Sequence, residues 1–186
     1  MSNKISSLKI VILSVIFSMG LVACSDNSTD PDTSTPGDAT VTITGEIEGE
    51  HEGWALFNHA ELPLSESWGI YLTNNSTFHV SISLSSTDGS ASRPTPGIYE
   101  IGFGRSEFFS IYTDIESGGV GAGGDYEYAT LYEETGGTLT IESSTDESVE
   151  GYFEFVAAHD EDDQGNPYGF VTVSGEFSAT NQDLLD

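Results

Sequence analysis

The chain has 186 residues, of which 31 are Asp or Glu and only 4 are Lys or Arg, for a formal charge of −27 at pH 7. Such a surface repels nucleic acid and anionic lipid headgroups, because phosphates need clustered cations to neutralise them, so nucleic-acid binding is excluded as a function class. Cys24 is the single cysteine, which excludes an intramolecular disulfide.

In chain order, Lys4 and Lys9 come first, then the apolar run Ile10 to Met19, then Leu21-Val22-Ala23-Cys24. This is the charged, apolar, small-residue order of a secretory signal, and it predicts a removable segment over residues 1–23. The stretch from Ile10 to Ala23 is too short to span roughly 30 Å of hydrocarbon comfortably as a helix. Leu21-Val22-Ala23-Cys24 resembles the lipobox of bacterial lipoproteins, and the resemblance implies a lipidated Cys24 that anchors the mature chain to a membrane. Ser25 stands where an Asp would imply inner-membrane retention, which favours the outer membrane. Asp26 is weakly similar to the acidic surface-export signals of Bacteroidetes lipoproteins; periplasmic and cell-surface orientations both fit.

Residues 24–39 hold the lipidated Cys followed by Ser, Thr, Asp, Asn, Pro and Gly with almost nothing apolar, a composition that cannot offset its ordering entropy. They are expected to form an acidic tether that holds the folded domain roughly 20 Å from the lipid. All acids lie beyond residue 23, so the mature chain is more anionic than the whole. Because the acids are spread along the chain, the expectation is a solubilising shell suited to a salty habitat, ahead of a surface for calcium or a cationic partner.

From Thr40 the apolar pattern has period two, as in Val41 and Ile43, Tyr99, Ile101 and Phe103, Leu139 and Ile141, and Val171, Val173 and Phe177. Alternation of β-branched and aromatic residues predicts half-buried antiparallel strands. About nine are expected, near 40–47, 68–73, 77–84, 97–103, 107–113, 126–133, 137–142, 148–158 and 169–178, with 54–58 as a further one of weak signal. Turn sequences separate them, among them Asn74-Asn75, Asp88-Gly89, Gly136-Gly137 and Gly165-Asn166-Pro167. The expected fold is all-β, a single antiparallel β-sandwich or barrel-like domain over residues 40–180, with a C-terminal tail at 181–186. Ile43, Trp68, Ile70, Leu72, Val80, Ile82, Leu84, Tyr99, Ile101, Leu139, Ile141, Phe153, Phe155, Val171, Val173 and Phe177 are the expected core.

The order Pro96-Gly97-Ile98-Tyr99, Gly137-Thr138-Leu139-Thr140-Ile141, Val149-Glu150-Gly151-Tyr152-Phe153-Glu154-Phe155 and Val171-Thr172-Val173-Ser174-Gly175-Glu176-Phe177 covers roughly residues 95–178. It resembles a group of Bacteroidetes-type lipoproteins classed as domains of unknown function. The resemblance implies an all-β lipoprotein and carries over no catalytic residue.

Chemistry-bearing residues are few. Asp160, Asp162, Asp163, Gln164 and Asn166 gather oxygen ligands around Gly165 in the manner of the opening of a calcium loop, yet Val171 stands at the twelfth position and strands flank the segment. An acidic solvated hairpin is the expected role, with bound Ca²⁺ as the alternative. Gly119-Val120-Gly121-Ala122-Gly123-Gly124 matches a dinucleotide fingerprint in letters only, since it leads into Tyr126-Glu127-Tyr128 rather than a helix. His51-Glu52-Gly53-Trp54-Ala55 lacks the second histidine of a zinc-protease helix, and His59, His79 and His159 are scattered. Trp54, Trp68, Tyr126 and Tyr128 belong to a surplus of aromatics, some of which alternation would turn outward as a platform for glycan or protein; filling of the core is the plainer role. The sequence therefore leads to the expectation of a membrane-anchored, non-catalytic binding or structural β-domain with no cofactor and no catalytic residues. The alternatives are a calcium-stabilised adhesive module and a glycan hydrolase using carboxylates that the sequence does not single out.

Overall fold

The computed structural model describes residues 35–62, 65–86, 91–102, 108–115, 127–161 and 164–185. The signal segment, Cys24, most of the expected tether, the Gly-rich run at 119–124, Tyr126, Asp162 and Asp163 lie outside the described residues.

Ten strands form one hydrogen-bonded sheet: β1 (Gly37–Gly45), β2 (Gly49–Leu62), β3 (Ser65–Thr73), β4 (Phe78–Ser86), β5 (Gly97–Ile101), β6 (Phe109–Asp114), β7 (Glu127–Ala129), β8 (Gly136–Ser144), β9 (Ser148–Glu161) and β10 (Pro167–Asn181). The protein is all-β, as its alternation requires. A one-turn 3₁₀ helix, η1 (Gln182–Leu184), comes after β10. Among the described residues no helix is long and apolar enough to cross a membrane.

Passing through the paired strands β1, β2, β3, β4, β6, β7, β9 and β10 leads back to β1, so the sheet closes as a ring. Nearly all pairings are antiparallel; β10 meets β2 in parallel only at Thr180 and Asn181, beyond the start of β1. β7 and β8 share one edge of β9 at different heights: Ala129 opposes Ala158, while β8 runs opposite Val149–Val156. β5 adds to β8 and touches the start of β6 through an Ile101–Phe108 bridge. Closure of this kind removes most unpaired edges that invite aggregation, leaving β5 laddered on one side only.

Register carries the alternation through the ring. Ile43 faces Val173 across β1 and β10, Val173 faces Phe155, and Leu139 faces Phe153. All of these are buried, as are Trp68, Ile70, Leu72, Val80, Ile82 and Tyr112 from the opposite arc. Of the expected core, only Leu84 and Tyr99 are partly exposed, and both pack against it. Phe153 lies against Phe155 and Phe177 at ring separations of 5.7 and 6.4 Å. At roughly 1.5–3 kcal/mol for each large apolar side chain buried, this interior is the chief source of stability. Gly175 makes the close packing possible, because a Cβ there would strike the Thr40 carbonyl and the Phe153 ring.

Several boundaries differ from expectation, among them that of β7, which ends at Ala129 rather than near 133. β1 begins at Gly37, inside the segment read as tether, because Asp38 and Ala39 find ladder partners in Trp54 and Gly53. The weak strand at 54–58 is the middle of β2, whose first half pairs with β1 and whose second half pairs with β3. At the other terminus, the expected tail begins with Asn181, the last residue of β10, and continues into η1.

Candidate functional site

One end of the strand ring opens into a depression of about 370 Å³, within the range of small-ligand sites. Its floor is aromatic. Phe57 of β2 and Trp68 of β3 point inward at the last level of the ring, with ring centroids 5.9 Å apart, and are almost completely covered. Beside them His59 opposes Trp68 in the β2–β3 register, and its Nε2 lies 3.8 Å from Glu66 Oε2.

The rim comes from three separated segments: Ser92 and Arg93 ahead of β5, Asp146 in the β8–β9 turn, and Asn181 and Asp183 at the end of β10. Asn181 fastens two of them together. Its Nδ2 donates to the Asp146 carbonyl at 2.9 Å, its backbone N–H donates to the Glu147 carbonyl at 2.9 Å, and its Oδ1 caps η1 by accepting from the Asp183 N–H at 3.1 Å. The third segment is tied in by Ser144, whose Oγ donates to the Pro94 carbonyl at 2.6 Å.

Arg93 is the one Lys or Arg among the described residues. Its buried Nη1 is ion-paired at 2.9 Å with Asp146 Oδ1. The Asp146 side chain is 98% exposed, so the pair is worth little to stability. Trp68 Nε1 is buried without an acceptor. A buried donor left unmatched, as this indole N–H is, costs about 1–3 kcal/mol.

The opposite end of β9 and β10 is built from tyrosines and carboxylates. Tyr128 donates to Glu46 Oε2 and Tyr168 to Asp160 Oδ2, each at 3.4 Å, and Tyr128 lies 5.4 Å from the His159 ring. Burial, with the Glu46 charge second, pushes the Tyr128 phenol up to about 12. Burial and then Glu161 and Asp160 raise Tyr132; the charge of Asp160 is the first cause at Tyr168. Elsewhere burial lowers His79, which stacks on Tyr71 at 6.2 Å.

The residues singled out in the sequence are dispersed over this frame. Trp68 reaches the depression, as its floor rather than as an exposed platform, because its register turns it inward beside Leu84 and His59. Tyr128 is also buried and belongs to the other end, Trp54 is half-buried on β2, and Tyr126 lies outside the described residues. The large hydrophobics that do face outward include Ile98, Tyr152, Tyr168 and Phe170. In the acidic hairpin, Asp160 Oδ1 accepts from the Glu161 N–H at 2.8 Å and Oδ2 from Tyr168, while Gln164 and Asn166 are exposed. Among the described residues no three His, Cys, Asp or Glu side chains gather as a metal site would require.

Sequence reading missed Arg93, Asp146, Asn181 and Asp183. The signal that was present is the scarcity of cations: beyond Lys9 the chain has only Arg93 and Arg105 against 31 acids. No protein-family model, curated protein or solved structure matches the chain.

Proposed function

We propose that this chain is a lipid-anchored envelope protein whose barrel-like β-domain binds a glycan, without catalysis, at the open end of its strand ring. The supporting observation is the composition of that depression: aromatic rings below, and guanidinium, carboxylate, amide and hydroxyl groups from three segments around the rim. Sugar hydroxyls suit those polar groups, while Phe57 and Trp68, almost completely covered, close the floor beneath them without offering an open ring face. The short apolar leader and Leu21-Val22-Ala23-Cys24 supply the reading of the anchor, with the outer membrane as its address and the domain in the aqueous space beyond.

Two measurements test these parts separately. Labelled fatty acid should be incorporated by the native chain and not by Cys24→Ala; labelling of that variant contradicts the anchor. Screening the protein against a panel of soluble oligosaccharides should give binding that Ser92→Trp, which fills the depression from its exposed rim, removes without lowering the melting temperature. Binding that survives the substitution places the site elsewhere. Release of shortened sugars would turn the reading towards hydrolysis.

A further inference from the structure

Resting on the glycan reading, we propose that the ligand is an acidic sugar, a uronate, whose carboxylate replaces Asp146 on Arg93. Beyond Lys9 the chain has only two cations, Arg93 and Arg105, against 31 acids, and Arg93 lines the depression. Its present partner is poorly matched. Asp146 approaches with one oxygen at 2.9 Å, from a side chain that is 98% exposed. A planar carboxylate arriving from inside the depression can meet the guanidinium through two parallel hydrogen bonds, the geometry in which this pair is strongest. Asp146 then rotates into solvent, where its charge is fully hydrated.

The remainder of the lining selects among carboxylates. Asp183 accepts ring hydroxyls, and Ser92 and Asn181 exchange hydrogen bonds with them. A peptide terminus would leave most of these groups unused. The rim carboxylates also repel additional negative charge, so one uronate residue per site is the fit rather than a densely charged polymer segment.

Calorimetric titration of the full chain in detergent micelles, with a galactose trisaccharide carrying one terminal galacturonate and with its carboxyl-reduced counterpart, tests the inference. The acidic sugar should bind about tenfold more tightly at low salt. Asp146→Asn should widen that ratio several-fold by removing the internal competitor, and Arg93→Gln should erase it. Thermal melts check that Arg93→Gln folds; because Asp146 is nearly fully exposed, its variant decides the matter if Arg93→Gln does not. Equal binding of the two sugars, or a ratio unmoved by Asp146→Asn, overturns the uronate inference and leaves the glycan reading standing. Binding of neither overturns both, and preference for a short peptide over the uronate assigns the depression to a different ligand class and overturns the inference.

Discussion

The Tyr128 hydroxyl donates to Glu46 Oε2 at 3.4 Å, joining β7 to the β1–β2 turn at the end of the ring away from the depression. Ionising that phenol requires placing a second negative charge beside Glu46 in a buried setting, which is why its pKa rises to about 12. A group whose folded pKa lies above its unfolded value contributes stability that is complete below the unfolded pKa, near 10, and disappears as pH climbs through the folded one. Stability should therefore fall between about pH 10 and 12. Tyr128→Phe should flatten that fall, as read by denaturant unfolding across the alkaline range; an unchanged slope would contradict the assignment.

Gly175→Ala should be among the most disruptive single-methyl additions. The new Cβ meets the Thr40 backbone and the Phe153 ring on the crowded inner side of β10, so strands must shift, at about 1–3 kcal/mol or more. Gly165→Ala is the control, since nothing lies within 4 Å and the cost is only that of a positive φ of 85°, about 1 kcal/mol. Equal losses for the two in urea melts would mean that β1 and β10 can move apart at little cost.

Asn181→Ala should cost about 1–2 kcal/mol, because it removes the donor to the Asp146 carbonyl and the cap of η1 together. It should also weaken sugar binding, since both partners belong to the rim. Asn181→Asp keeps the capping acceptor and should recover part of the stability but not the tie to the β8–β9 turn.

The acidic shell makes a prediction about salt. With −27 at pH 7 and few cations, self-repulsion opposes the compact state, and counterions relieve it. The melting temperature should rise with sodium chloride over a wide concentration range, whereas a flat response would show that the charge is too dispersed to matter.

The strands were legible because each buries one face. Val41 and Ile43 alternate with Thr40, Thr42 and Thr44, and the structure buries the first pair and exposes the second set. β2 was legible only in part. Its first half carries Glu50 and Glu52 outward and His51 inward, where that ring stacks on Phe78 at 5.2 Å; its place in the sheet comes from pairing with β1 rather than from apolar alternation. The start of β1 was missed for the same reason, since Gly37 and Asp38 have no apolar pattern and are ordered by ladder partners far along the chain. The depression was not legible at all. Arg93, Asp146 and Asn181 come from three segments that meet because β5 pairs with β8 and β10 with β9, pairings that no local pattern encodes. Exposure of individual aromatics also depended on register: Tyr152 faces out because Phe153 and Val149 face in, while Trp68 faces in with Ile70 and Leu72.

Whether sugar binds at this end of the ring is decided by amide-resolved NMR titration with the galacturonate-terminated trisaccharide. Shifts should cluster at Ser92, Arg93, Asp146, Asn181 and the Trp68 indole N–H, with Tyr168 and Phe170 at the far end of β10 unmoved. Shifts confined to the far end, or none at saturating sugar, would rule out the depression as the binding site.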